Sequence, residues 1–385
     1  MKISVIIGTR PEAIKMCPLV QYLKEHTDFD VELCLTGQHK EMVANILPIF
    51  DSVPDYNFNV MQTNQTLPQL TMNVIDCISK YLSERRPDII LLQGDTTTVL
   101  AAALAAFYLH VKIGHVEAGL RTFDLQSPWP EEANRVLAGH LADIHFCPTE
   151  TSRENLLKEN IDPKRIFVTG NTVIDALLIA KRKIEKEPVL VAGLPEEAQP
   201  CNSNHKPYVL ITGHRRENFG IGFENICSAI LELAKRHPEM NWLYPVHLNP
   251  NVYDIVNARL QKHSNIYLLS PQNYLEFVSL QMHSVLILTD SGGVQEEAPS
   301  LGKPVLVMRD TSERPEALKA GAAKLVGTDC QTIVETTDQL LRDATAYKKM
   351  SCAINPYGDG LACMRIADAL KKLCGENTAK EISSL

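Results

Sequence analysis

Residues 290–297 read Asp-Ser-Gly-Gly-Val-Gln-Glu-Glu, directly after the apolar run Val285-Leu286-Ile287-Leu288-Thr289. A strand that ends in Ser291-Gly292-Gly293 and turns into a helix aims backbone N–H groups and the positive end of a helix dipole at one point, which suits a phosphate. Glu297, one turn beyond Gly293, carries a carboxylate that can accept hydrogen bonds from neighbouring ribose hydroxyls. An ordinary strand-to-helix turn uses the same residue types, so this stretch alone leaves both readings open.

Cations with matching chemistry stand elsewhere. Arg10, beside Pro11 at the tip of the first apolar run, and Lys15, five residues on, can each reach an anion. His214-Arg215-Arg216 follows Gly213, which lets the backbone approach a ligand closely. Carboxylates stand at similar places. Asp95 precedes three threonines and on the residues alone reads first as a helix cap. Glu117 follows the apolar Ile113-Gly114-His115-Val116 and has no such structural excuse, whereas Glu131 and Glu132 after Pro130 fit acids in a helix first turn with Pro at its first position. The glycines form neither G-x-G-x-x-G nor a P-loop, which argues against a nicotinamide cofactor and against an NTPase. Asp28-Phe29-Asp30 imitates a metal-binding pair but precedes a strand and reads as a turn; His110, His140, His145 and His237 lack ligand spacing, and no metal is expected.

The elements that must position these groups follow from periodicity. Short apolar runs at 2–7, 31–36, 88–93, 112–116, 143–147 and 165–168 alternate with amphipathic stretches, as in βαβ units with a buried parallel sheet. A polar segment at 182–206 reads as a linker or surface excursion, after which runs at 208–212, 241–246, 265–269, 285–289, 304–308 and 323–326 predict a second doubly wound sheet. In such sheets ligands sit beyond the carboxyl ends of the strands, where the groups above fall. The chain of 385 residues, 45% hydrophobic, is long enough for two cores. Its net charge of −8 excludes a broad nucleic-acid footprint. Ten scattered cysteines without a C-x-x-C pair fit reduced thiols in the cytoplasm, the N-terminus reads as a strand and not a signal peptide, and no apolar run is long enough to span a bilayer.

Taken together, the motifs resemble one family along essentially the whole chain, the non-hydrolysing UDP-N-acetylglucosamine 2-epimerases, built like the B-type glycosyltransferases. The matching segments are Gly8 to Lys15, Gly94 to Thr98, Gly114 to Arg121, Pro130-Glu131-Glu132, Thr169 to Thr172, Gly213 to Glu217, Asp290 to Leu301 and Glu313-Arg314-Pro315-Glu316. The resemblance implies an α/β fold of two Rossmann-like doubly wound domains facing a central cleft. The expected boundaries are 1–172, joined by a C-terminal helix at about 358–385, and 173–357. By the same resemblance, Arg10, Lys15, His214 and Arg314 would hold the uridine diphosphate with the Ser291-Gly292-Gly293 backbone, Glu297 the ribose, and Gln272 and Phe277 the uracil. Asp95, Glu117 and Glu131 would face the sugar, which reverses the residue-level reading of Asp95 and Glu131. Gln38, Glu131, Arg215 and His247 match a second UDP-N-acetylglucosamine site that activates some members, although Glu41 and Asn64 depart from it. A homodimer is also implied.

The implied reaction converts UDP-N-acetylglucosamine to UDP-N-acetylmannosamine without metal or cofactor. The hydrogen on C2 of an N-acetylhexosamine is not acidic enough for a simple base. Either the sugar is oxidised by a nicotinamide, or UDP leaves C1 so that developing cationic character acidifies the neighbouring position; the missing dinucleotide fingerprint favours the second. Elimination gives 2-acetamidoglucal and UDP, and re-addition with protonation on the other face inverts C2. Departing diphosphate needs cations, and proton removal and return on opposite faces needs carboxyl groups in different protonation states. Asp95 is the expected base toward the gluco substrate, His214 acts with the three carboxylates, and domain closure is expected about Thr169-Gly170-Asn171 and Asn355-Pro356-Tyr357-Gly358. A hydrolysing 2-epimerase and a glycosyltransferase on the same scaffold are the alternative readings.

Overall fold

The computed structural model describes residues 1–62, 64–312 and 314–382, the last seven as backbone only. Contacts divide the chain into two compact units, Met1–Ala176 with Gly358–Leu385, and Leu177–Tyr357. Glu313, one of the motif residues, lies outside the described residues.

The first unit is built on seven strands: β1 (Lys2–Ile7), β2 (Asp30–Leu35), β3 (Tyr56–Asn57), β4 (Ile89–Gln93), β5 (Lys112–Val116), β6 (Ile144–Cys147) and β7 (Ile166–Val168). They lie in the order β3-β2-β1-β4-β5-β6-β7, and every neighbouring pair is parallel. Ile3, Val5, Ile7, Leu33, Ile90 and Leu91 are fully buried, as strands covered on both faces require. Each such side chain is worth roughly 1.5–3 kcal/mol of transfer free energy. The alanine-rich helix Thr97–Tyr108 packs between helices Leu67–Arg85 and Glu131–Leu141. The helix Ala362–Ile382 lies against helix Arg10–His26 of the same unit.

The second unit holds β8 (Tyr208–Thr212), β9 (Asn241–Pro245), β10 (Ile266–Leu269), β11 (Leu286–Thr289), β12 (Val305–Val307) and β13 (Ala323–Leu325). Their order is β10-β9-β8-β11-β12-β13, again all parallel. Phe223, Ile226 and Ile230 of helix Ile221–Arg236 pack with Trp242, Tyr244, Leu288 and Ile333 into one core.

In both sheets the chain reverses its direction of growth beside the first strand, at β1/β4 and at β8/β11. That places a crevice where the loops leaving the two strands run apart, the usual ligand position in such sheets. One strand escaped the sequence reading, and two local expectations need correction. The edge strand β3 is only two residues long and left no apolar run to read. The helix Thr172–Lys186 runs into the first residues of the polar segment, because Ile174, Leu177, Ala180 and Ile184 keep a buried helical stripe going. Pro130 is the N-cap of helix Glu131–Leu141, not its first residue.

Candidate active site

At the switch point of the first sheet, Gly8 follows β1, and a Cβ there would run into Thr98 Oγ1 and lie 2.9 Å from Thr36 Oγ1. Only glycine lets the loops after β1, β2 and β4 approach this closely. Buried Glu12 ties two of them together: its Oε2 accepts the N–H groups of Gly8 (2.5 Å) and Thr9 (3.1 Å), and its Oε1 accepts the Thr96 hydroxyl (2.5 Å). Burial raises the proton affinity of this carboxyl, and these donors oppose the rise. Arg10 opens the helix that carries Lys15, so both cations stand on its first turns.

The structure gathers Lys15, Asp95, Glu117 and Glu131 at the carboxyl ends of β1, β4 and β5. Glu117 is buried and has φ 63°, the left-handed region that a non-glycine residue rarely occupies and that clusters at functional sites. Its Oε2 accepts from Lys15 Nζ at 2.5 Å and from Gln93 Nε2 at 2.7 Å. Asp95 is not a helix cap: Thr96 takes that place by accepting the Val99 N–H. The Asp95 carboxylate instead lies 2.9 Å from Arg135 Nη2. Loss of hydration pushes its pKa up to about 6, helped by the charges of Glu117 and Glu131, while Arg135 and Lys15 pull the other way. The Asp95 loop is pinned by His115, whose Nε2 lies 2.7 Å from the Gly94 carbonyl, and by Asn134 Nδ2, which donates to the Asp95 carbonyl at 2.9 Å. Burial pulls the pKa of His115 to about 4, so the ring is neutral near neutral pH and Nε2 carries the hydrogen it donates. Glu132, fully buried, accepts the N–H groups of Thr122 and Phe123 (2.9 Å each) and stands 3.4 Å from Arg135. Gln38 Oε1 accepts the Thr98 hydroxyl at 2.7 Å.

In the second unit the Thr212 and Thr289 hydroxyls, 2.6 Å apart, close the ends of β8 and β11, and Thr289 Oγ1 accepts the Ser291 N–H. Gly292 then begins the helix Gly292–Glu297. A Cβ on Gly292 would stand 3.7 Å from Arg215 Nη2 and 3.8 Å from the Arg314 guanidinium. The helix start is therefore flanked by two cations, a setting for an anion with two negative groups. Arg314 Nε also contacts Glu296 Oε1, and its N–H donates to Ser312 Oγ. His214 lies between Asp290, whose Oδ1 is 3.4 Å from Nδ1, and His247, stacked on it at 5.6 Å between ring centroids. Burial lowers the pKa of His214; Asp290 opposes this, and Arg215, His247 and Arg309 add to it.

Glu297 is buried, with Oε2 accepting from Gln281 Nε2 at 2.8 Å. Gln281 sits one turn after Phe277 on helix Tyr274–His283, so the two share a face. Gln272 precedes that helix and donates to the Ser270 carbonyl at 2.7 Å. His214, Arg215, His247, Ser291 to Gly293 and Arg314 thus come together, while Gln281 links Glu297 to the helix that carries Phe277. A cavity of about 490 Å³ lined by Asn241, Asn265 and Tyr267 lies at the amino ends of β9 and β10, away from these residues. Among the described residues no group of three His, Cys, Asp or Glu is placed to hold a metal ion, and no helix is long and apolar enough to cross a membrane.

Gln93, Arg135, Gln281 and Asp290 are the contacts that the sequence did not single out. Arg135 had a signal, since it stands four residues after Glu131 on one helix. Asp290 directly follows the buried strand Leu286–Thr289, a place where a charge needs a partner.

The chain is similar to known proteins along nearly its whole length. The family profile of the UDP-N-acetylglucosamine 2-epimerases matches residues 21–371. The UDP-N-acetylglucosamine 2-epimerase of Escherichia coli K12 is 56% identical over 371 residues, covering 96% of this chain and 98% of that protein. The crystal structure of the Neisseria meningitidis UDP-GlcNAc 2-epimerase bound to UDP-GlcNAc superposes with a TM-score of 0.89 at 48% identity, covering 97% of this chain and 100% of that one. A glycosyltransferase of kitacinnamycin, 12% identical with a TM-score of 0.64 over 96% of this chain and 98% of its own, shares the fold alone. The chain is an α/β protein of the B-type glycosyltransferase-like fold and belongs to the UDP-N-acetylglucosamine 2-epimerase family.

Proposed function

We propose that this protein interconverts UDP-N-acetylglucosamine and UDP-N-acetylmannosamine by eliminating UDP and adding it back. One observation carries the reading. Asp95, with a pKa raised to about 6, stands in the electrostatic field of Glu117, which shares one oxygen between Lys15 and Gln93. Inversion at C2 needs this kind of inequality, one carboxyl group that takes a proton and others that do not compete for it.

In this account the Ser291-Gly292-Gly293 backbone, Arg314, His214, Arg10 and Lys15 hold the diphosphate. Glu297 takes the ribose, and Gln272 and Phe277 take the uracil. Asp95 removes the C2 hydrogen as a proton while the C1–O electron pair leaves with UDP. The C2–H pair becomes the C1–C2 double bond of 2-acetamidoglucal. On the opposite face a protonated carboxyl, that of Glu117 or Glu131, gives its proton to C2 as UDP re-adds to C1, and exchange with solvent restores Asp95 and that carboxyl to their starting states. The cations stabilise charge that grows as the bond breaks. No redox equivalent is consumed.

The bond cleavage is tested with UDP-N-acetylglucosamine carrying ¹⁸O between C1 and the β-phosphorus. Elimination lets the β-phosphate rotate, and the label then spreads into non-bridging positions. A label that stays in the bridge throughout epimerisation rejects the mechanism, and release of free N-acetylmannosamine as the main product assigns the hydrolysing reaction.

We further infer a cytoplasmic homodimer that supplies N-acetylmannosamine units for bacterial surface polysaccharide. A second UDP-N-acetylglucosamine would activate it through Gln38, Glu131, Arg215 and His247. Hyperbolic initial rates, with sustained reverse reaction in the absence of added UDP-N-acetylglucosamine, reject that activation.

A further inference from the structure

Asp290 is completely buried at the end of β11, and its two carboxylate oxygens do different things. Oδ2 accepts the backbone N–H groups of His214 and Arg215, each at 2.8 Å, and Asn218 Nδ2 at 3.4 Å. Those bonds fasten the loop after β8 to the end of β11 across the switch point. Oδ1 has no hydrogen-bond donor among the described residues and stands 3.4 Å from Nδ1 of the His214 ring. A buried carboxylate oxygen without a donor is costly. A small rotation of the imidazole would supply that donor.

We propose that Asp290 is a positioning residue for the reaction: its Oδ1 orients His214 through Nδ1–H and balances an imidazolium whose Nε2–H is donated to the departing diphosphate. The inference rests on the function proposed above. The carboxylate of a serine-protease triad acts on its histidine in the same way, fixing tautomer and orientation and stabilising the charged ring.

The charges around the ring explain why a ligand is needed. The ionisable groups that act on His214 most strongly come from the loops after the strands: Asp290 after β11, Arg215 after β8, His247 after β9 and Arg309 after β12. Burial and the basic neighbours Arg215, His247 and Arg309 lower the proton affinity of the ring, and Asp290 opposes them. Arg309 is itself partly neutralised by Glu217, with Nε to Oε1 at 2.5 Å. A diphosphate beside Arg215 and Arg314 adds negative charge next to the ring and reverses the balance, so the proton arrives with the ligand. The site then gains a cation when charge is about to develop on the leaving group.

The test is ¹⁵N NMR of the His214 imidazole in the full-length protein, titrated with pH with and without UDP. In the UDP complex of the wild type at pH 7 both ring nitrogens are expected to be protonated, and in Asp290→Asn they are expected to show a neutral ring, with the titration moved down by about one pH unit or more. The same variant should lose kcat by on the order of 10²-fold or more, with KM changed by less than about tenfold. The upper limb of its kcat–pH profile should move to lower pH. A neutral His214 in the wild-type UDP complex at pH 7 overturns the proposal without recourse to any variant, so a misfolded Asp290→Asn does not shield it. A variant that binds UDP and titrates like the wild type overturns it as well. The NMR reading needs no turnover: a protonated His214 in a protein that forms no UDP-N-acetylmannosamine leaves this inference standing and removes the proposed function instead.

Discussion

The Asp95 carboxylate lies 2.9 Å from the Arg135 guanidinium, yet its pKa is raised to about 6 and not lowered. An arginine at that distance normally depresses a carboxyl by one to three units. Here loss of hydration is the largest influence, and Glu117 and Glu131 add to it, so the ion pair moderates a rise that would otherwise be larger. The residue expected to act as base therefore changes protonation just below neutrality, where a general base works best.

The rate should follow that titration. If Asp95 must be ionised to take the C2 proton, kcat in the gluco-to-manno direction rises with pH and levels off above about 6. Arg135→Gln removes the strongest influence that lowers the Asp95 pKa, so the acid limb should move to higher pH. A kcat–pH profile of the two proteins checks this, and an unmoved limb in Arg135→Gln assigns that limb to another group.

Stability should move against activity at the same residue. The folded-state pKa of Asp95, about 6, lies above the ordinary 3.8, so folding favours the protonated acid. The contribution of this group is then most favourable below the unfolded value, falls as pH rises from about 3.8 to about 6, and is flat above. Asp95→Asn mimics the protonated form and should be more stable than the wild type at pH 7 by up to about 3 kcal/mol, while losing turnover. Urea unfolding at pH 7 and pH 4 checks it: the gain should shrink at the lower pH.

Glu117→Gln should bind UDP nearly as the wild type does but turn over more slowly by on the order of 10²-fold or more. The amide can still accept from Lys15 or Gln93, so its local structure is retained. Calorimetric UDP affinity together with initial rates separates the two effects, and near-normal turnover removes Glu117 from the proton transfers.

Gly8→Ala tests the packing that brings the first-unit loops together. The added methyl meets the Thr98 side chain well inside van der Waals contact, and overpacking of this kind costs about 1–3 kcal/mol. Thermal unfolding should show the loss, and Gly8→Ala combined with Thr98→Ser, which keeps the clashing hydroxyl, should recover little of it.

Much of this fold was legible because parallel strands buried on both faces leave continuous apolar runs. Twelve such runs were read, and each contains a strand to within a residue or so of the expected ends. The strand Tyr56–Asn57 was not legible, since two residues carry no periodicity. In the candidate site, residues to inspect were readable where a charged residue follows an apolar run, as at Arg10, Glu117 and His214. Pairing was not, because partners such as Arg135 for Asp95 and Gln93 for Glu117 come from elements far apart in sequence. Asp95 shows the limit: its neighbours suggested a helix cap, and only the fold, which gives that task to Thr96, turned it toward Arg135. Asp290 was read as part of a motif, whereas its grip on the His214 loop needed the β8/β11 adjacency.

The central claim is that the bond between UDP and the hexose breaks before C2 changes hand. Incubating the purified protein with UDP-N-acetylglucosamine in deuterated water and following C2 by NMR tests it most directly. The account predicts UDP-N-acetylmannosamine carrying deuterium at C2, formed with no added nicotinamide. Epimers that interconvert while keeping their original C2 hydrogen, or that form only when an oxidant is supplied, contradict it.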